Sequence, residues 1–239
     1  MNTKAIKTRI KSVKNTKKIT KAMEMVSAAK MRRAVDAAIS ARVYARLARE
    51  LMEHLAHIDQ PNYELLELRP VKNMLVVLVS SNRGLCGSFN TNLFKKTVAI
   101  LADKENVGRH RVAYGEDILP QADVQIHLLG VGKKSAAFAK RHEYNLVAVF
   151  DSLSEKPSFD DVIPLGKMVI DDYKKGIYDK VVIVYTDYIS SLAQMPKVRQ
   201  LLPISPRDLE KMVQELGDND TKEPTEQSDD LFPVENYLF

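Results

Sequence analysis

Between Thr3 and Ile58 the chain has no glycine and no proline, and before Tyr44 it has no aromatic residue. The first absence removes the two residues that most readily interrupt a helix. The second removes the Trp and Phe with which a surface helix anchors in lipid. Tryptophan is absent throughout, and Cys86 is the only cysteine. No intramolecular disulfide can therefore form, which fits a reducing compartment. No apolar run approaches the ~20 residues needed to span a bilayer, and the N-terminus lacks the apolar core of a secretory signal. Neither G-x-S-x-G nor H-E-x-x-H occurs, so two common hydrolase signatures are missing.

What is present is ordinary in bulk and uneven in distribution. The 239 residues are 45% hydrophobic and 28% charged, a composition typical of soluble proteins, with room for one large domain or a domain plus an extension. The formal net charge is +5, but residues 1–35 hold eleven Lys or Arg against one acid, Glu24. Residues 207–239 hold ten Asp or Glu against Arg207, Lys211 and Lys222. A basic arm calls for a negative partner: nucleic acid, lipid headgroups or an acidic protein surface.

The uninterrupted N-terminal stretch predicts a single helix ~80 Å long at 1.5 Å per residue, far beyond the usual 8–20 residues of a globular helix. Its apolar residues come in groups: Ile6, Ile10, Val13; Ile19, Met23, Val26; Met31, Val35, Ala38; then Leu47, Leu51, Leu55, Ile58. Spacing within each group is coiled-coil-like, and the gap from Val13 to Ile19 breaks the heptad register. An imperfect coiled coil with a partner helix is expected. Beyond a polar connection, strands and helices alternate. Strands are expected at 73–80, 124–129, 145–150 and 180–187, with 198–203 pairing beside the last. Helices are expected at Phe89–Lys104, Lys133–His142 and Asp160–Lys175. The predicted class is α/β: a long N-terminal coiled-coil-type helix plus a Rossmann-like, mainly parallel sheet domain with helices on both faces.

Several stretches invite a chemical reading. "SSNRGLCGSFN" (80–90) occupies the first strand-to-helix turn, where a mononucleotide fold holds phosphate, yet it lacks both G-x-G-x-x-G and G-x-x-x-x-G-K-[ST]. Gly84 and Gly87 are explained by a tight turn and close helix packing. "GVGKKS" (130–135) imitates the end of a phosphate loop, but that pattern needs glycine at 127 and Ser or Thr at 134, where the chain has His127 and Lys134. His54 and His57 have a helical metal spacing without a third ligand nearby. The adjacent pairs Asp171–Asp172 and Asp229–Asp230 have no evident partner, and Cys86 reads as a small packed residue. No catalytic residue, cofactor site or metal site is expected. The basic helix, which interleaves Lys and Arg with Ala, Ser and Met in "KAMEMVSAAKMRRA" (21–34), suits a rod touching protein surfaces through adaptable Met and charge. A nucleotide-binding α/β protein and a basic-helix nucleic-acid binder are the alternatives.

Three segments, taken together, resemble the gamma subunit of the F-type, proton-translocating ATP synthase. They are "TRIKSVKNTKKITKAMEMVSAAKMRRA" (8–34), "SSNRGLCGSFNTNLFK" (80–95) and "DKVVIVYTDYISSLAQMPKVRQLLPI" (179–204). The resemblance implies a non-catalytic central-stalk rotor subunit, with nucleotide chemistry on beta. Residues 1–58 would be a shaft helix, 59–71 a linker, 72–206 an α/β foot, and 207–239 an acidic flexible tail leading to a C-terminal helix that the sequence lacks. The sequence is accordingly expected to be cropped. Partners implied are the alpha and beta subunits of the catalytic hexamer, the epsilon subunit and the c-ring, with no nucleic acid and with membrane association only through the complex. The implied location is the cytoplasmic face of a bacterial plasma membrane, or else a mitochondrial or chloroplast complex. Met23, Lys30, Arg32 and Arg33 would face the beta subunits, and Gly84, Cys86 and Gly87 would lie at the foot, near epsilon or the c-ring. Residues 106–123 are longer than the family's usual link, and no role is assigned to them.

Overall fold

The structure, a computed structural model, describes residues 3–56, 64–110, 117–121, 123–153, 157–190 and 192–204, with the side chains of the first helix described as far as residue 41. Two compact units divide the chain near Leu51.

The first unit is formed by the helix α1, Thr3–Ala56, of 54 residues, whose last residues, from Met52 on, fall in the second unit. Every residue can supply an i→i−4 hydrogen bond and none forces a kink, so local propensity alone accounts for its continuity. Its large apolar side chains are nonetheless exposed: Ile10 is 51% accessible, Val13 61%, Ile19 61% and Val26 56%.

The second unit, the foot, runs β1 (Asn73–Val79), α2 (Phe89–Ala102), α3 (Lys104–Gly108), β2 (Gln125–Val131), α4 (Lys133–Arg141), β3 (Asn145–Phe150), α5 (Phe159–Lys174), β4 (Lys180–Tyr188) and β5 (Gln194–Leu202). One five-stranded sheet holds them in the order β3-β2-β1-β4-β5. β1 pairs parallel with β2 and β4, β2 pairs parallel with β3, and only β5 is antiparallel, joined to β4. Met74 to Leu78 are buried in succession, as a central strand covered on both faces requires. Met74, Val76 and Leu78 face a core shared with α2 and α4; Leu75 and Val77 face one shared with α5. The expected architecture, mainly parallel with helices on both faces, is present.

Two boundaries differ from expectation. The helix expected over Phe89–Lys104 breaks at Asp103, whose backbone (φ −98, ψ 77) leaves the helical region while its side chain accepts from Asn106 N–H and caps α3. A carboxylate that satisfies the first amides of the next helix competes well with continuing the previous one. β5 begins four residues earlier than the expected 198, and Pro196 is accommodated because β5 lies at the sheet edge, where a missing N–H costs no ladder bond.

The segment with no role in the sequence supplies core. Val107 and His110 are buried, His110 and Ile118 exchange backbone hydrogen bonds of 2.9 and 3.0 Å, and a side chain on Gly108 would meet Pro120 Cβ at 2.8 Å. Beneath it Lys180, only 3% accessible, donates to the Arg109 carbonyl at 2.8 Å.

Candidate functional site

The order of strands in the foot turns at β1 and β4, and in open α/β sheets ligands gather outside the carboxyl ends of the strands at such a point. The loop there, Ser80–Ser88, is built by its own polar side chains. Ser81 N–H donates to Asn90 Oδ1 (3.2 Å), Asn90 Nδ2 returns a bond to Ser81 Oγ (2.8 Å), and that hydroxyl donates to the Arg83 carbonyl (2.6 Å). Asn90 Nδ2 also lies 3.2 Å from Cys86 Sγ. Leu85 and Gly87 adopt positive φ, 62° and 57°. The result is a tight knob with Leu85 at its tip, 94% accessible. Gly84, Cys86 and Gly87 are brought together here, all exposed: Cys86 is not the small packed residue expected, and neither glycine serves close helix packing, since a Cβ at either would meet nothing within 4 Å. Leu85, Asn82 and Asn90 escaped the sequence reading. The only signal for them was polar Ser and Asn recurring around the two glycines, a pattern of side-chain-stabilised turns.

The second phosphate-like stretch turns out to be part of the same structure. Gly132 caps the N-terminus of α4 at φ 90°, and its N–H donates to the Phe150 carbonyl (2.9 Å). Lys133 N–H donates to Asn82 Oδ1 (2.9 Å), Lys134 N–H to the Ser81 carbonyl (3.2 Å), and Ser135 N–H to Ser80 Oγ (2.8 Å). Asn82 Nδ2 reaches on to the Asp151 carbonyl (3.1 Å). The three leading amides of α4 are those that would cradle a phosphate, and all are engaged by the first loop. The loops after β1, β2 and β3 are thereby clasped together. Asn82→Ala removes two of these bonds, both exposed, and should cost about 1 kcal/mol; amide exchange at Lys133 that does not accelerate in the variant would contradict the clasp.

On α1, Met23 and Lys30 fall on nearly the same azimuth, ~20° apart at 3.6 residues per turn, Arg33 ~60° further round, and Arg32 almost opposite. The apolar groups alternate as well. Ile6, Ile10, Val13 and Met31, Val35 share one side, whereas Ile19, Met23, Val26 lie ~140° round the axis. The gap after Val13 has switched the stripe to another side. His54 and His57 lie outside the residues with described side chains, as do Asp229 and Asp230. Among the described residues no group of His, Cys, Asp or Glu is placed to hold a metal.

A family model described as ATP synthase matches residues 2–236. The chain belongs to the ATP synthase family. Its relatives include the protein named ATP synthase gamma chain of Acidithiobacillus ferrooxidans, 38% identical over 205 residues, which are 85% of this chain and 66% of the relative. The gamma chain of Coxiella burnetii is 35% identical over 203 residues, 83% of this chain and 64% of the relative. The chain thus spans just under two thirds of the length of these curated relatives. A solved chain from the central stalk and c-ring of Tetrahymena thermophila mitochondrial ATP synthase is similar over 78% of this chain and 77% of that one, at 15% identity and a TM-score of 0.42.

Proposed function

We propose that the chain is the central-stalk rotor subunit of an F-type ATP synthase, coupling proton-driven rotation of the c-ring to conformational change in the catalytic beta subunits. The observation that carries this reading is the pair of opposed apolar surfaces on α1. Burying one against a single partner helix leaves the other in water, at a cost of ~25 cal/mol per Å² of apolar area. A coiled-coil partner on one side and an enclosing ring of alpha and beta subunits on the other cover both. The cations Lys30, Arg32 and Arg33, spread around the helix rather than along one stripe, suit a shaft surrounded by partners. In this reading 1–58 is the shaft, 59–71 the linker and 72–206 the foot, with 207–239 an acidic connection. The foot contacts epsilon and the c-ring, and the knob formed by Gly84, Leu85, Cys86 and Gly87 is a partner contact. The chain itself performs no chemistry.

Among the described residues no helix is long and apolar enough to cross a membrane; in this reading the c-ring supplies the membrane contact. The bacterial relatives support placing the complex at the cytoplasmic face of a bacterial plasma membrane.

Replacing Lys30, Arg32 and Arg33 together by glutamine is expected to change the ATPase rate or torque of the reconstituted complex by about 2- to 10-fold, since exposed ion pairs contribute ~0–1 kcal/mol each. Met23 serves as a second probe, through its packing rather than its charge. A complex whose rate and torque are both unaffected by the triple substitution would rule out the charged contact.

A further inference from the structure

We infer that the outer face of α2 and α4 is a docking surface for an acidic segment of another protein. The two helices lie on one side of the sheet, share one apolar core, and are joined by Phe94 stacked on Phe138 with ring centroids 4.5 Å apart. Neither contains an Asp or Glu: their sequences are FNTNLFKKTVAILA and KKSAAFAKR. To solvent they present Lys95, Lys133, Lys134, Lys140 and Arg141, all exposed. Lys133 lies 3.9 Å from Asp151, both side chains being half exposed or more. Within this layer the exposed acids Asp103, Glu105 and Glu143 lie just outside the two helices. On the opposite face of the sheet α5 carries Asp160, Asp161, Asp171 and Asp172 beside Lys167 and Lys174.

The arrangement works against local preference. Lys133 and Lys134 occupy the first turn of α4, where the helix dipole favours acids. An anionic partner offsets that repulsion. The partner is not a small phosphate, because Asn82, Ser81 and Ser80 already engage the leading amides. Nor does the face suit a bilayer, since no exposed large apolar side chain belongs to either helix. Phe89, Phe94 and Phe138 are half-buried or buried, which leaves no exposed aromatic platform for nucleobases. On α4 the cations bracket the exposed Ala137, so no bulky side chain stands between them. Spaced carboxylates along an extended or helical acidic segment match it. This surface is independent of the role assigned to α1.

Zero-length carbodiimide cross-linking of the full chain to a short poly-glutamate peptide, mapped by mass spectrometry, tests the inference. Lys95, Lys134 and Lys140 are expected to collect adducts ~10-fold more than the foot lysines Lys72 and Lys167, the sum of a few weak exposed pairs. The enrichment should disappear at high salt. Lys134→Glu with Lys140→Glu should abolish it at Lys95 while the low adduct level on Lys72 and Lys167 and the thermal unfolding midpoint of the foot stay unchanged, which separates lost docking from lost folding. Adducts spread evenly over the foot lysines overturn the inference. So do links from these helices to residues 207–239 of the same chain. Protection of the same lysines by phosphatidylglycerol vesicles or duplex DNA, without preference for poly-glutamate, overturns it as well.

Discussion

Gly132→Ala is expected to lower the midpoint of thermal unfolding by roughly 6–12 °C, the equivalent of ~3 kcal/mol in a domain of this size. At φ 90° and ψ 147° the residue occupies backbone space that L side chains avoid. An added Cβ would also run into the carbonyl oxygen of Ser80, with the carbonyl carbon only 2.9 Å away. That carbonyl cannot retreat easily. Ser80 directly follows β1, its N–H is bonded to the Val131 carbonyl at 2.8 Å, and its hydroxyl holds Ser135 N–H. The substitution therefore pries apart the clasp that unites the loops after β1 and β2. Gly84 is the contrasting case: a Cβ there meets nothing within 4 Å, so Gly84→Ala should stay within ~0.5 kcal/mol of the parent. Gly87, at φ 57° in open space, should cost ~1 kcal/mol, the penalty of a left-handed residue alone. Circular-dichroism melts of the three variants check the ranking. Equal melting points for the Gly132 and Gly84 variants would mean that the close approach of α4 to Ser80 does not hold in solution.

Acid should destabilise the foot through His110. The imidazole is 1% accessible, and among the described residues neither ring nitrogen makes a well-aligned hydrogen bond, the Arg69 backbone supplying only a weak one. Burial, followed by the positive charge of Lys180, pushes its pKa down from 6.5 to about 4, with the Arg69 backbone and Asp179 opposing only in part. The folded state thus holds His110 neutral where the unfolded chain would already bind a proton. The stabilisation is fully present above pH ~6.5 and is lost as pH falls through about 4. A shift of that size corresponds to roughly 2–3 kcal/mol by pH 4.5. His110→Leu places an apolar group in an apolar site and removes the proton acceptor. Its urea-unfolding free energy at pH 7 should lie near that of the parent, because taking out a buried unsatisfied polar group offsets the change in shape. Between pH 7 and 4.5 it should lose roughly 2–3 kcal/mol less than the parent. Parallel pH profiles for the two proteins would show that His110 is protonated in the fold as easily as out of it.

The two results bear on different parts of the chain's legibility. His110 lies in a stretch where neither pattern nor resemblance pointed to a role. Its burial follows from the bridge to Ile118 and the proximity of Lys180, contacts across eight and seventy residues that no periodicity encodes. Gly132 was visible, but as half of a failed phosphate motif. The local pattern showed a strand, a glycine and a basic helix start; it could not show that Asn82, fifty residues earlier, bonds the first amide of α4. Similarly, Gly84 and Gly87 looked alike in the sequence. Only backbone geometry separates an open position with ordinary φ from one in the left-handed region.

α1 was legible because every determinant of it is local. Helix-forming side chains and the absence of Gly and Pro settle a helix turn by turn, and the gap from Val13 to Ile19 shows the break in its heptad register. The strands were legible for a related reason, since continuous Val, Ile and Leu runs bounded by turn residues can be buried only in a covered sheet. The sequence by itself therefore determined a long basic helix and an alternating α/β foot, along with the segments that carry the family resemblance. The tertiary structure alone decided the strand order β3-β2-β1-β4-β5, and with it which loops meet, which glycine is crowded, and which histidine is sealed from water. These outcomes depend on pairing between residues far apart in the chain. Such pairing is chosen by the collective burial of both sheet faces rather than by any short run of residues.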